Sequence, residues 1–93
     1  MPRSLIALSL ALLLGLSSFA LASPHVDTSQ VPQFKTEPAA QKHCPGDTVV
    51  WLNTWSGIWH YRGAKYWMKT KYGAFVCEQE AGKLGMRAAK DGS

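Results

Sequence analysis

The chain has 93 residues, ten Lys and Arg against six Asp and Glu, and two cysteines. That length bounds the protein to one small domain, and a domain this short buries little surface without a staple. The formal charge of +4 is a modest excess that attracts phosphates, anionic lipid or an acidic partner only where it clusters.

Residues 1–22 read as a secretory signal. Arg3 supplies the positive n-region, Leu5 to Leu16 is an uncharged apolar run, and Ala20-Leu21-Ala22 is a small-x-small cleavage site. The run is shorter than the ~20 apolar residues a membrane span needs, and no basic stop-transfer flank follows it. No cysteine stands at the expected cleavage site to become a lipid-bearing N-terminus. The expected mature chain starts at Ser23 and resides in the periplasm or is secreted. Cysteines oxidise there, and chemistry driven by ATP or NAD is not expected.

Residues 23–43 carry Pro24, Pro32 and Pro38 with few apolar residues and no period. They are expected to form a flexible tether. Composition changes at Cys44. All four tryptophans and all three tyrosines lie between Cys44 and Ala89, so residues 44–89 are the expected folded unit. Pro45-Gly46-Asp47 is a turn. Thr48 to Thr54 is β-rich and reads as a central strand. Trp55-Ser56-Gly57 is a tight connection to a second strand, Ile58 to Tyr61, which forms a hairpin with the first. Arg62-Gly63-Ala64 turns again, and Tyr66-Trp67-Met68 is the expected third strand. Lys69 to Gly73 is a polar loop, and Ala74-Phe75-Val76 leads into a helix over Glu78 to Leu84. Glu78 and Glu80 suit that helix's first turn, and Gly85 is its C′ stop. Cys77, Ala81 and Leu84 share the face expected to dock on the sheet. Met86-Arg87-Ala88 returns as an extended segment, and residues 90–93 are expected to fray.

The fold class is therefore small α+β: a three-stranded antiparallel hairpin sheet with one short C-terminal helix. An even cysteine pair in an exported chain is most simply one disulfide, Cys44–Cys77. Closing that loop removes roughly 3–4 kcal/mol of unfolded-state entropy. Two free thiols or two thiolate ligands are the alternatives. With no Cys-x-x-Cys, the pair is not a redox motif.

The run Gly57-Ile58-Trp59-His60, then Gly63, Tyr66, Thr70-Lys71, Gly73, Phe75, Glu78, Ala81 and Gly85-Met86-Arg87, resembles a group of small exported bacterial proteins of unassigned function. More distantly, residues 54–89 resemble the zinc-binding N-terminal domain of Ada-type DNA-repair methyltransferases. Gly57-Ile58-Trp59 match its opening, and Glu80-Ala81 with Gly85-Met86-Arg87 match its helix and exit. The four zinc-cysteine positions hold His60, Ala64, Ala89 and Gly92, three of which cannot ligate zinc. The resemblance implies a small hairpin-plus-helix fold, with a Cys44–Cys77 disulfide in place of the metal. It does not imply methyl transfer.

His60 is the residue with the best claim to chemistry, since a neutral imidazole binds metal or shuttles protons. The bland alternative is a packed strand histidine. His43, Cys44, His60 and Cys77 fit no compact zinc spacing, so no metal and no cofactor is expected. Ser56 lacks a nucleophile elbow. Glu78 and Glu80, two apart on a helix, point to different sides and form no acid–base pair. No enzyme is expected, and no catalytic residue is assigned.

Between Ile58 and Val76 lie Arg62, Lys65, Lys69 and Lys71 with no acid among them. They interleave with Trp59, Tyr61, Tyr66, Trp67 and Tyr72. The candidate contact face is Trp59, His60, Arg62, Lys65, Trp67, Lys69, Lys71 and Tyr72. Stacking planes and cations suit an anionic envelope polymer or a protein partner, and equally single-stranded nucleic acid, where stacking contributes about 1–3 kcal/mol per base. The expected function is an exported, non-enzymatic binding or structural module. Extracytoplasmic single-stranded DNA binding is the first alternative. A metal or redox role through His60 and the cysteines is the second.

Overall fold

The computed structural model describes residues 26–93; the expected signal, residues 1–22, and the first residues of the expected tether lie outside them. The architecture is small α+β. A four-stranded mixed sheet in the order β3-β1-β2-β4 carries one short helix on each face.

The expected tether contributes to the fold over its described part. Val31 is buried, and the Thr28 hydroxyl donates to the Thr54 carbonyl at 2.7 Å. Phe34 exchanges both backbone hydrogen bonds with Phe75, at 2.9 Å each. Helix α1 follows, Glu37–His43. Thr36 caps it by accepting the Ala39 N–H at 3.3 Å, Pro38 sits in the first turn, and Ala40 is fully buried. Such a cap contributes about 1 kcal/mol, and proline in the first turn lacks only an N–H that would be unpaired there anyway.

Strand β1, Val49–Asn53, is the centre of the sheet. The turn after it is made by Asn53, whose Oδ1 accepts the Trp55 and Ser56 N–H groups at 2.9 and 3.2 Å. Gly57 closes it at φ +77°, a conformation glycine adopts without strain. Strand β2, Ile58–His60, then pairs antiparallel with β1, setting Trp51 opposite His60, Leu52 opposite Trp59 and Asn53 opposite Ile58.

Two elements differ from expectation here. Tyr66-Trp67-Met68 is not a strand but part of a turn-rich excursion over residues 61–73, with Met68 at φ +59°. The third strand is Ala74–Cys77, β3, fully buried and antiparallel to β1 on the side away from β2. The aromatics of 66–68 carry β propensity, yet Ala74–Cys77 is the run with no polar residue, and the place beside β1 is covered on both faces.

Helix α2 is Glu78–Lys83. Its N-terminus is capped across the chain by Asp47, whose carboxylate accepts the Thr48 N–H at 2.7 Å and the Gln79 N–H at 3.0 Å. It ends one residue earlier than expected, in a Schellman motif. The Met86 N–H reaches the Ala81 carbonyl at 3.0 Å, the Gly85 N–H reaches Gly82 at 3.2 Å, and Gly85 sits at φ +93°. Leu84 therefore leaves the docking face and is exposed, while Met86 is buried in its place. Strand β4, Arg87–Ala88, runs parallel to β2. The crossover from β3 to β4 makes the sheet mixed rather than wholly antiparallel.

The sheet buries both faces, as the alternation of β1 requires. Val50 and Leu52 join Val31, Trp59, Val76, Ala81 and Met86 on one side. Val49 joins Ala40 and Phe75 on the other, with Phe34, Trp51 and Trp67 packed against them. The expected disulfide is present: Cys44, just after α1, bonds to Cys77 at the end of β3, 33 residues on.

Candidate functional site

The residues of the expected contact face separate into three environments. Trp59 lies in the core, 7 % exposed, because its register opposite Leu52 turns it to the α2 side of the sheet. It is not a contact residue. Trp67 is half-buried and packs against Phe75 with ring centroids 5.5 Å apart. It pins the excursion to the sheet. Trp51 does the same from β1, its Nε1 donating to Thr70 Oγ1 at 2.8 Å.

The four cations remain exposed on the excursion that these contacts hold. Arg62 is engaged: it pairs with Glu37 of α1 and lies 5.5 Å over the Trp67 ring. Lys65 Nζ stands 5.2 Å over Tyr66, and Lys71 Nζ 5.4 Å over Tyr72. Cation–π contacts of this kind keep the ammonium in water while ordering its stem. Tyr61, Tyr66, Met68 and Tyr72 are also exposed. The Tyr61 hydroxyl donates to the Glu78 carboxylate, which raises the phenol above its ordinary value. A weaker opposing pull comes from the Trp59 indole, whose buried Nε1 makes no hydrogen bond of normal geometry.

His60 sits elsewhere. It is 7 % exposed and faces the same side of the sheet as Trp51. Its ring meets Tyr66 edge-on at 5.8 Å, and Nδ1 is buried without a hydrogen-bond partner. The ring borders an open cleft of about 520 Å³. Its lining joins three stretches of chain: Asn53, Ser56 and Ile58 around the β1–β2 turn, Tyr66 and Thr70 of the excursion, and Arg87, Ala89, Lys90, Asp91 and Ser93 near the C-terminus. Lys90, Asp91 and Ser93, in the segment expected to fray, thus line the cleft. The Tyr66 N–H donates to the Ser93 carbonyl at 3.0 Å, and the Gly92 N–H to Ala89 at 3.2 Å.

The cleft was not readable from the sequence. The C-terminal stretch of its lining meets the others only because β4 pairs in parallel with β2, through the Arg87 N–H to the Gly57 carbonyl at 3.1 Å and the Ala89 N–H to Trp59 at 3.0 Å. Only the Asn53 turn left a local trace, an Asn preceding Trp-Ser-Gly.

Among the described residues, two groups of side chains could approach a metal ion: His43, Cys77 and Glu80, and Cys44, Asp47 and Cys77. Both include Cys77, whose sulfur is bonded to Cys44 and so is no thiolate. The other members have structural work. His43 Nε2 meets Glu80 at 2.9 Å, joining α1 to α2, and Asp47 caps α2. Glu78 and Glu80 take partners on different sides, Tyr61 and His43.

Comparison with protein-family models, curated proteins and solved structures finds no match for this chain.

Proposed function

We propose that the chain is an exported, disulfide-closed binding module whose contact face is the excursion over residues 61–73, and that its partner is an acidic envelope polymer. The observation that carries this reading is the joint exposure of Lys65, Lys69 and Lys71 with Tyr66 and Tyr72 on a segment anchored by Trp67 and Trp51. A tied segment loses little further freedom on binding, which favours a polyanion over a solvated surface of the same charge. Arg62 is spent on Glu37 and contributes less. The reading includes export: residues 1–22 direct secretion, and the mature chain begins at Ser23.

Titration of the oxidised 23–93 chain with polyglucuronate, followed by tryptophan fluorescence, tests this. Binding should weaken steeply with salt. The variant carrying Lys65→Ala, Lys69→Ala and Lys71→Ala should lose about three units of the salt slope, roughly one per lysine. Equal binding by that variant, or none at low salt, would refute it. Tighter binding of a single-stranded oligothymidine than of polyglucuronate would move the partner to nucleic acid. Intact mass of the protein from the cell envelope checks the start at Ser23.

A further inference from the structure

The cleft beside His60 shares Tyr66 and Thr70 with the excursion but is lined by none of its lysines, and its lining is unbalanced in a way that specifies a ligand. Asn53 spends Oδ1 on two backbone amides, which leaves its two N–H donors. Ser56 Oγ accepts the Ile58 N–H at 3.3 Å, and its own proton has no acceptor among the described residues. Arg87 spends one N–H on the Ala88 carbonyl at 3.2 Å. Neither Arg87 nor Lys90 pairs with a carboxylate among the described residues. The one acid in the lining, Asp91, turns Oδ1 to the Ser93 N–H and hydroxyl at 3.0 and 2.6 Å. Donors therefore outnumber acceptors, and cations outnumber the acid.

His60 adds an independent observation. It is more than nine-tenths buried, borders the cleft, and its Nδ1 is enclosed with no hydrogen-bond partner among the described residues. Buried polar groups in folded proteins are paired, so an unpaired one calls for an explanation. Beside the donors, Ile58 and the Tyr66 ring supply apolar surface to the cleft. The volume of about 520 Å³ is in the range of small-molecule sites.

We propose that this cleft is a binding site for a small organic oxyanion, a carboxylate or phosphate on a ring-sized body, held by His60, Arg87 and Lys90. The ring of the ligand lies against Tyr66 and Ile58, and its remaining oxygens accept from Asn53 and Ser56. This goes beyond the polymer-binding reading and does not rest on it, since the lysines of that face take no part.

The test uses the oxidised, isotope-labelled 23–93 chain and three sugars of one size: glucuronate, glucose 6-phosphate and glucose. Proton–nitrogen spectra follow the backbone amides of residues 53–58 and 87–91 and the ring nitrogens of His60. At least one of the two anionic sugars is expected to shift these signals at millimolar concentration, with a ring nitrogen of His60 responding, while glucose does not. The stronger of the two identifies the carboxylate or the phosphate as the recognised group. The variant carrying Arg87→Gln and Lys90→Gln should keep the parent spectrum and bind about tenfold more weakly or worse, the effect of losing a charge-assisted hydrogen bond. Equal shifts from glucose, no shifts from any of the three, or parent affinity in the variant would overturn the proposal.

Discussion

Removing the Cys44–Cys77 bond should nearly unfold the protein at ordinary temperature. The bond closes a loop of 33 residues, and the chain-entropy relation assigns such a loop about 3.7 kcal/mol at 25 °C. A core of this size supplies roughly 3–5 kcal/mol in total. The replacement should be Cys44→Ala with Cys77→Ala, because Cys77 is fully buried and a serine there would add an unpaired hydroxyl. The alanine pair should lower the melting temperature by roughly 15–30 °C, at 4–8 °C per kcal/mol for a domain of this length. Guanidinium melts followed by near-ultraviolet circular dichroism measure the loss directly, since tryptophans lie in both halves of the core. A loss under about 1 kcal/mol with an unchanged denaturant slope would refute the reasoning. The helices would then hold residues 44 and 77 together without the bond.

Three further outcomes follow from particular contacts. Val31→Ala should cost about 2 kcal/mol in a urea melt, because Val31 sits in the core; an unchanged midpoint would return residues 23–43 to the status of a tether. Gly73→Ala should cost about 2 kcal/mol or more, since a Cβ there would overlap the Trp51 indole, which Thr70 and Phe75 hold in place. Trp51→Phe should recover part of that cost, and a double-mutant cycle with no coupling would show that the clash is not the cause. In an absorbance titration, Tyr61 should ionise above the ordinary tyrosine value, and Glu78→Ala should remove most of that shift. Because the folded phenol holds its proton longer, its stabilising contribution is complete below the ordinary value of about 10 and is lost as pH rises through the folded value. A melt midpoint indifferent to Glu78→Ala at neutral pH would remove that contribution.

The features legible in the sequence were those set by neighbouring residues. The β1–β2 hairpin, the Gly57 turn, the Gly85 stop and the cysteine pairing all follow from short spacings or from parity. The start of α1 had a local signal too. Thr36-Glu37-Pro38 is a cap, an acid and a first-turn proline, but three prolines in a polar stretch suggested a tether instead. Trp59 was misplaced on the contact face, although the hairpin register sends it to the same side as Leu52's neighbours in the core. The identity of the third strand was not local. Residues 66–68 and 74–77 both favour extended backbone, and the choice is made by Trp67 packing on Phe75 and by the apolar site beside β1. The cleft was least accessible, because Arg87 and Lys90 reach Asn53 and His60 only through a parallel pairing between segments about 30 residues apart.

The disulfide turns residues 44–77 into a closed covalent ring, and that ring contains β1, β2 and β3. Helix α1 and the residues before it form one arm of the ring; α2 and β4 form the other. The second arm is held to the ring at its far end by a two-residue strand and a few backbone bonds. It can peel from β2 in a sub-global opening that leaves the ring closed. Backbone amides of residues 86–89 should therefore exchange with solvent well ahead of those of β1. Part of the cleft's lining belongs to the ring and part to this arm, so the cleft can widen and reclose on a timescale of its own while the core stays folded.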